Sequence, residues 1–120
     1  MKTLFTAIVV LVAVEHLWFL VLEMFLWTWP IGLKTFRNTE EKARQSATLA
    51  ANQGLYNGFL AVGLLWGVFH PDPGVARQIT AFFLGCVVVA GVFGAITVSM
   101  RIFWIQALPA FMALGLAWLG

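Results

Sequence analysis

Four long apolar runs, separated by short polar or proline-containing breaks, constrain the fold of this chain more than any other feature. We predict membrane spans at about residues 4–27, 47–69, 79–100 and 102–119, because a helix needs about 20 apolar residues to cross a bilayer. Hydrophobic residues make up 62% of the 120 residues, and charged residues only 10%. A chain this short cannot hide so much apolar surface in its own core. We therefore expect an integral membrane protein that has the lipid bilayer as its partner.

The breaks between the runs indicate how the helices are connected. Pro30 is expected to end the first span, and Asn38 with Glu41 has the spacing of a capping box at the start of the second helix. That helix is expected to continue unbroken into the second span. The sequence His-Pro-Asp-Pro-Gly at residues 70–74 predicts a turn, and Arg101 marks a very short connection. Short connections make consecutive helices antiparallel. The sequence therefore predicts an all-α fold: one domain of residues 1–120, a four-helix transmembrane up-down bundle with its second helix extended into the cytoplasm.

Lysine and arginine are distributed unevenly between the predicted loops. Five basic residues fall on the side of the 28–46 loop and two on the opposite side: Lys34, Arg37, Lys42, Arg44 and Arg101 against Lys2 and Arg77. An excess of basic residues marks the cytoplasmic side of a membrane protein. We therefore predict a multi-pass protein of the cell (inner) membrane, with the 28–46 loop in the cytoplasm and both termini outside. A net charge of +2 without a basic stripe argues against a nucleic-acid partner.

Three ionisable residues interrupt the first predicted span. Glu15 and His16 lie near its middle, and Glu23 lies closer to its cytoplasmic end. An ionised side chain at the bilayer centre costs about 2.5–3.5 kcal/mol on insertion scales. At about 100° per residue the three side chains share one sector of the helix, which we expect to face the bundle interior. Ionisable residues inside a membrane favour a proton relay or a ligand site. The same three residues are the candidates for a metal site, although one histidine and two carboxylates fit many arrangements.

A second group of polar residues lies in the later spans. It comprises Asn52, Gln53, Tyr56 and Asn57 in the second span and Gln106 in the fourth. The four residues of the second span share a sector about 140° wide. Counted at about 1.5 Å per residue, the amides lie at the depths of the ionisable residues of the first span. We therefore predict one polar pocket for a ligand or a proton, lined by Glu15, His16, Glu23, Asn52, Gln53, Tyr56, Asn57 and Gln106.

Glycines in the second span have the spacing that lets membrane helices approach each other closely. The pairs are Gly54 with Gly58 and Gly63 with Gly67. We predict close helix packing at both pairs, either within the bundle or between protomers.

Four kinds of function are consistent with the polar pocket. The first is binding or transport of a small solute, including proton-coupled transport, in which Glu15 exchanges a proton that His16 and Glu23 relay. Four short helices rarely enclose a pathway alone, so this hypothesis predicts a homo-oligomer, most simply a homodimer. The second is an intramembrane enzyme with Glu15 and His16 as an acid–base pair for a lipid-soluble substrate.

The remaining two hypotheses require neither transport nor catalysis at the pocket. The third is a metal, haem or quinone binder. The fourth is a structural accessory subunit, in which the amides form interhelical hydrogen bonds of about 0.6 kcal/mol each. We favour solute binding or transport, because a structural role would need only neutral donors and acceptors in the first span. The residues themselves name neither a cofactor nor a substrate.

Several motifs of the chain occur in the same order in a known family. They are Glu15-His16-Leu17, Leu22-Glu23-Met24-Phe25, Asn52-Gln53-Gly54-Leu55-Tyr56-Asn57-Gly58, Phe83-Leu84-Gly85-Cys86, and Gln106 before Pro109. This pattern resembles the bacterial and fungal domain-of-unknown-function family numbered thirteen hundred and four, whose members are small integral membrane proteins. The resemblance covers nearly the whole chain and implies a four-helix membrane fold without implying an activity. In layout alone the chain is also similar to the small multidrug resistance transporters, which have four helices and a membrane glutamate where Glu15 stands.

Overall fold

A computed structural model describes residues 2–119, with side-chain surroundings for residues 2–118. Over this range the fold is all-helical, as the sequence predicts. The elements are α1 (Lys2–Met24), α2 (Pro30–Thr35), α3 (Glu40–Phe69), α4 (Pro73–Thr97), α5 (Met100–Ile102), a π-helical segment (Phe103–Ala107) and α6 (Leu108–Leu119).

Among the described residues, three helical segments are long and apolar enough to cross a membrane: Lys2–Met24, Pro73–Thr97 and Met100–Trp118. The last of these joins α5, the π-helical segment and α6. This finding supports the predicted membrane protein. α3 is longer, at 30 residues, but its first half carries charged and amide side chains that lower its apolar character. The number of crossings, the sides of the termini and the kind of membrane stay predictions.

The end of α1 differs from the predicted end of the first span. α1 ends at Met24, three residues before the predicted boundary, and the backbone N–H groups of Phe25 and Leu26 both donate to the carbonyl of Val21. Pro30 does not end α1 but begins α2. Proline suits the first position of a helix because its missing N–H would have no partner there.

Thr39, not Asn38, caps α3. The Thr39 hydroxyl accepts a hydrogen bond from the backbone N–H of Lys42 at 3.2 Å, which is the bond an N-cap side chain makes to the third residue of a helix. The predicted capping box of Asn38 and Glu41 is therefore wrong, since α3 begins one residue too late for it. The prediction that this helix runs unbroken is confirmed, because α3 is continuous from Glu40 to Phe69.

The later helix boundaries also shift by a few residues. α4 begins at Pro73, six residues before the predicted third span, because the Asp72 side chain caps it by accepting from the N–H of Gly74 at 2.8 Å. At the start of α5, the Ser99 hydroxyl accepts from the N–H of Arg101 at 3.2 Å. Arg101 therefore lies inside α5 and not in a connection. These caps extend the helices beyond the apolar runs that predicted them.

A wide helical turn interrupts the last span. The backbone N–H of Leu108 donates to the carbonyl of Phe103, five residues earlier, which is the bond of a π-helix. Pro109 follows directly and has no N–H to donate to the carbonyl of Ile105. The wider π-helical turn accommodates the proline, so the helix continues past Pro109 without a break.

The chain divides into two compact units, which we name by their buried residues. The apolar unit consists of Met1–Val14 with Leu60–Gly120, and the polar unit consists of Glu15–Phe59. The buried cluster of the apolar unit contains only valine, leucine and alanine from α1, α3, α4 and α6: Val9, Val12, Ala13, Ala61, Leu64, Leu84, Val87, Ala110 and Ala113.

Glycines set the helix contacts of the apolar unit. A Cβ atom on Gly63 would collide with the Phe83 ring, and one on Gly67 would collide with the Thr80 side chain. α3 and α4 therefore pack closely and run antiparallel, which confirms the predicted role of this glycine pair. Further along the same buried side of α4, a Cβ atom on Gly91 would lie 2.7 Å from the Cβ of Ala107.

The polar unit contains the second half of α1, α2 and the first two-thirds of α3. A Cβ on Gly54 would lie 2.7 Å from Met24 Cγ, and a Cβ on Gly58 would lie 2.7 Å from Leu20 Cδ1. The two helices are therefore close and antiparallel here too, and close packing at this glycine pair is confirmed. At the end of this contact, the Trp27 indole N–H donates to the Ser46 hydroxyl at 3.2 Å.

Candidate functional site

The polar unit buries three residues that normally need hydrogen-bond partners or water. His16, Glu23 and Asn57 expose 0%, 3% and 8% of their surface. His16 and Glu23 are seven residues apart on α1, which places them on one side of the helix two turns apart. Asn57 lies on α3, on the face that packs against α1. The structure therefore places charge-bearing and amide groups where a simple membrane helix would carry leucine.

Glu23 and Asn57 form the central contact of the site. The side-chain amide of Asn57 donates a hydrogen bond to Glu23 Oε1 at 2.5 Å, between residues 34 positions apart in the chain. In a membrane, an interhelical hydrogen bond gives a polar side chain the partner that lipid cannot supply. We refer to these two side chains as the Glu23–Asn57 pair.

Two glycines beside Asn57 let α1 and α3 approach closely enough for this pair to form. A Cβ on Gly54 would lie 3.1 Å from the Cβ of Glu23, and Gly58 contacts Leu20 in the same way. Both glycines flank Asn57 on the face of α3 that meets α1. Without them the two backbones would move apart, and the short Asn57 side chain could not reach the carboxyl group. The sequence carries this signal as a polar residue between two glycines on one helical face.

Glu15 and His16 lie on α1 beyond the pair. The His16 ring is fully buried and meets the Phe19 ring edge to face, with 5.3 Å between centroids. Glu15 is half-buried, and within the described residues its Oε1 atom is buried without a hydrogen-bond partner. A buried acceptor without a donor is unfavourable unless a proton or a ligand supplies one. Glu15 is therefore a second place where a ligand or a proton could be held.

The metal candidates Glu15, His16 and Glu23 stay a prediction. Across the part of the chain that the structure describes, no three His, Cys, Asp or Glu side chains are grouped closely enough to hold a metal ion. Glu23 is seven residues from His16, which corresponds to a rise of about 10 Å along α1.

The other predicted pocket residues do not join the Glu23–Asn57 pair. Asn52, Gln53 and Tyr56 are exposed on α3, because α3 turns the face of Gly54, Asn57 and Gly58 toward α1. Asn52 lies about 140° around the helix from Asn57, which is too far for both to face the same neighbour. Gln106 belongs to the apolar unit, where it is half-buried in the π-helical segment.

Taken together, these features define a small helical membrane protein with a buried carboxyl–amide pair between two of its helices. The chain belongs to the family described as "Protein of unknown function (DUF1304)", which it matches over residues 10–118. This confirms the family resemblance drawn from the sequence motifs. The layout similarity to the small multidrug resistance transporters stays a prediction.

The chain is also similar to a bacterial protein. It is 29% identical over 106 residues to "Uncharacterized protein YpaA" of Lactococcus lactis subsp. lactis (strain IL1403), and the match covers 87% of each chain. No solved structure matches the chain.

Proposed function

We propose that this chain is a four-helix inner-membrane protein that binds a small solute within the bilayer and exchanges a proton for it at Glu23. The observation that carries this proposal is the Glu23–Asn57 hydrogen bond, which is buried between α1 and α3. An ionisable carboxyl group buried inside a membrane protein is, by default, a candidate for a functional site. The amide of Asn57 fixes the orientation of one carboxyl oxygen and thereby defines where a ligand would bind.

The chemistry of Glu23 selects the kind of solute. A carboxyl group can hold either a proton or a cationic or hydrogen-bond-donating group at the same oxygen atoms, so binding of one displaces the other. Glu15, with its buried Oε1 lacking a donor, would accept a second donor from the same class of solute. We therefore propose that the solute carries an amine or another strong hydrogen-bond donor.

The proposed bundle rests on the contacts between consecutive helices. In the polar unit α1 and α3 are antiparallel, and in the apolar unit α3 and α4 are antiparallel. Arg77 near the start of α4 donates to the carbonyl of Ala117 near the end of α6 at 2.5 Å, which fits an antiparallel return. With α3 as a further crossing, these pairs support an up-down arrangement. The excess of basic residues favours the cytoplasm for its polar α2–α3 connection.

The matched pair Glu23→Gln and Glu41→Gln tests the proposal. Glutamine at position 23 can still accept the Asn57 hydrogen bond but cannot exchange a proton, whereas Glu41 is exposed in the first turn of α3. We expect native mass spectrometry of the purified protein to show a bound small molecule that is lost in Glu23→Gln and kept in Glu41→Gln. Adding that molecule back to weakly buffered protein should release protons from the wild type and from Glu41→Gln, but not from Glu23→Gln.

A structural role for the same pair is the second candidate, and it is favoured by the fact that the Asn57 amide already has an acceptor. It predicts that Glu23→Gln leaves ligand content, proton release and the stability of the protein unchanged. Retention of the bound molecule in Glu23→Gln would therefore contradict solute exchange at Glu23 and support an interhelical hydrogen bond as the whole role of the pair.

A further inference from the structure

The short helix α2 lies directly on the turn that follows α1. A Cβ atom on the buried Gly32 would collide with the backbone carbonyl groups of Leu26 and Trp27, which are two and three residues past the end of α1 at Met24. α1 has 23 residues, about 34 Å of helix, and the hydrocarbon core of a bilayer is about 30 Å thick. α2 is therefore packed where α1 leaves the hydrocarbon core.

The α2 segment exposes apolar and basic side chains together. Trp29, Ile31, Lys34 and Arg37 are all exposed, and we call these four residues the α2 surface. Lys34 lies about 200° around α2 from the buried Gly32, and Ile31 is one turn before Lys34. Tryptophan is enriched at the headgroup level of a bilayer. The α2 surface therefore has the composition of a segment that lies in the membrane–water interface.

The two basic side chains of the α2 surface have no acidic partner within the described part of the chain. The ion pair found there is on α3, between Arg44 and Glu40. Residues 25–39 include Lys34 and Arg37 but no aspartate or glutamate. The protein therefore leaves the positive charge of this segment uncompensated, and the segment is complementary to a negatively charged partner.

Arg37 has a backbone conformation that normally belongs to glycine. Its φ is 52°, in the left-handed region, where a Cβ atom is unfavourable. The N–H of Asn38 donates to the carbonyl of Leu33 at 2.9 Å, and the N–H of Arg37 donates to the carbonyl of Lys34 at 3.3 Å. These are the two bonds of a Schellman motif, whose left-handed position is usually glycine. A strained residue kept in place of glycine points to a role for its side chain.

We propose that the α2 surface binds the phosphate headgroups of anionic phospholipids, in the leaflet that α1 reaches at Met24. The guanidinium group of Arg37 donates two parallel hydrogen bonds to a phosphate, and the ammonium group of Lys34 adds a second positive charge. Trp29 and Ile31 enter the headgroup layer and hold α2 against the lipid. The contact between Arg37 and phosphate offsets the strain of its left-handed backbone.

This inference is independent of the proposed function, since it uses no residue of the Glu23–Asn57 pair. The full chain is placed in lipid nanodiscs of equal parts phosphatidylglycerol and phosphatidylcholine, and native mass spectrometry counts the lipids of each kind that stay bound. We expect the wild type to retain phosphatidylglycerol in preference to phosphatidylcholine. Lys34→Gln/Arg37→Gln should lower this preference by about fivefold for each charge removed.

Lys42→Gln/Arg44→Gln is the matched control, because it removes the same charge from the neighbouring part of the chain. Gly54 contacts Met24 at the end of α1, so Lys42 lies about 18 Å further along α3 and Arg44 about 15 Å. Both distances exceed the Debye length of about 8 Å at physiological salt. The control should keep the lipid preference of the wild type.

A second pair of variants separates lipid binding from folding. Arg37→Gly relieves the left-handed strain, so the free energy of unfolding in zwitterionic mixed micelles should not fall. Its preference for phosphatidylglycerol should nevertheless fall about fivefold. Arg37→Lys keeps both the charge and the strain, and it should keep most of the lipid preference. An unchanged preference in Arg37→Gly would contradict a role for the Arg37 side chain.

Three further results would overturn the proposal. The first is equal retention of the two lipids by the wild type. The second is the same loss of preference in Lys34→Gln/Arg37→Gln and in Lys42→Gln/Arg44→Gln, which would reduce the effect to net charge. The third is displacement of bound phosphatidylglycerol by inorganic phosphate at constant ionic strength, which would assign the α2 surface to a soluble phosphate.

Discussion

The apolar unit and the polar unit both draw on α1 and α3, but different interactions hold them together. In the apolar unit the buried cluster contains only valine, leucine and alanine, and glycines let α4 approach its neighbours. In the polar unit the helices are also closely packed by glycines, but a carboxyl–amide hydrogen bond crosses between them. Because lipid is as apolar as leucine, burial alone does not drive helices together in a membrane. The apolar unit therefore depends on shape, whereas the polar unit depends on shape and on a directional bond.

This difference has a consequence for mutations. A residue that fills space should damage either unit wherever a glycine meets a neighbouring backbone, whereas a residue that removes a buried donor or acceptor should damage the polar unit most. The polar unit also contains the only buried carboxyl–amide pair among the described residues. If the comparison is correct, the polar unit can lose its hydrogen bond and keep its helices, while one added methyl group should destabilise the apolar unit where Gly91 meets the backbone of Ala107.

In the apolar unit, the largest effect is expected at Gly91 in α4. A Cβ atom there would lie 2.7 Å from Ala107 Cβ and 2.8 Å from the Ala107 backbone nitrogen, so a backbone must move. Gly91→Ala should lower the free energy of unfolding by about 2 kcal/mol, as overpacking does. Gly85→Ala is the matched control in the same helix, since nothing lies within 4 Å of its added Cβ. It should raise stability by up to about 1 kcal/mol through helix propensity. Unfolding in mixed micelles measures both, and equal effects would break the comparison.

The next effect concerns the Glu23–Asn57 pair. Asn57→Leu leaves a buried carboxyl group without its donor and should cost about 2 kcal/mol of unfolding free energy. Glu23→Gln keeps an acceptor for Asn57 and should cost less than about 1 kcal/mol. The double variant Glu23→Leu/Asn57→Leu should recover part of the loss, because neither polar group is then left alone.

A double-mutant cycle over the same pair measures the coupling directly. Strictly additive effects of Glu23→Leu and Asn57→Leu would show that the two side chains do not interact. That result would remove the directional bond that distinguishes the polar unit from the apolar unit.

A sequence pattern predicts some of these features well because they depend on one helix at a time. Membrane-length apolar runs, the unbroken α3 and the close packing at Gly54 and Gly63 follow from composition and spacing alone. Glu23 and Asn57 were each predicted as site residues for the same reason. Their pairing could not be predicted, because a helical wheel gives the angle of a side chain on its own helix but not the rotation of that helix against another.

The predicted pocket residues that lie elsewhere in the structure show the same limit of a helical wheel. Asn52 and Asn57 lie within one 140° sector, which is narrow enough to suggest a common pocket but wider than one helix contact. The structure turns Asn57 toward α1 and leaves Asn52 exposed. The predicted helix ends differ from the structure for another reason. The hydroxyl of Thr39 and the carboxyl of Asp72 decide where α3 and α4 begin. Neighbouring residues in the sequence could form the same capping hydrogen bond, so the sequence alone does not select the cap.

A smaller effect is expected where the polar unit ends. The Trp27 indole N–H donates to the Ser46 hydroxyl, whose own O–H donates to the carbonyl of Lys42 at 2.7 Å. Trp27→Phe removes one donor from a half-buried contact and should cost about 1 kcal/mol. Ser46→Ala removes the acceptor, and the combined variant should cost no more than either single change. A fully additive result in mixed-micelle unfolding would mean that the hydrogen bond between Trp27 and Ser46 does not stabilise the unit.

The smallest effect is expected at the ion pair on the first turns of α3. Arg44 donates to Glu40 at 2.8 Å, but both side chains are about two-thirds exposed, at 69% and 67%. Water and salt screen such a pair, so Arg44→Gln should change the free energy of unfolding by less than about 0.5 kcal/mol. The difference between the two proteins should be smaller at high salt than at low salt, because salt screens exposed charges. A larger loss would show that the charged start of α3 is in a less polar environment than its exposure indicates, and the polar unit would then depend on ionic contacts as well as on the Glu23–Asn57 hydrogen bond.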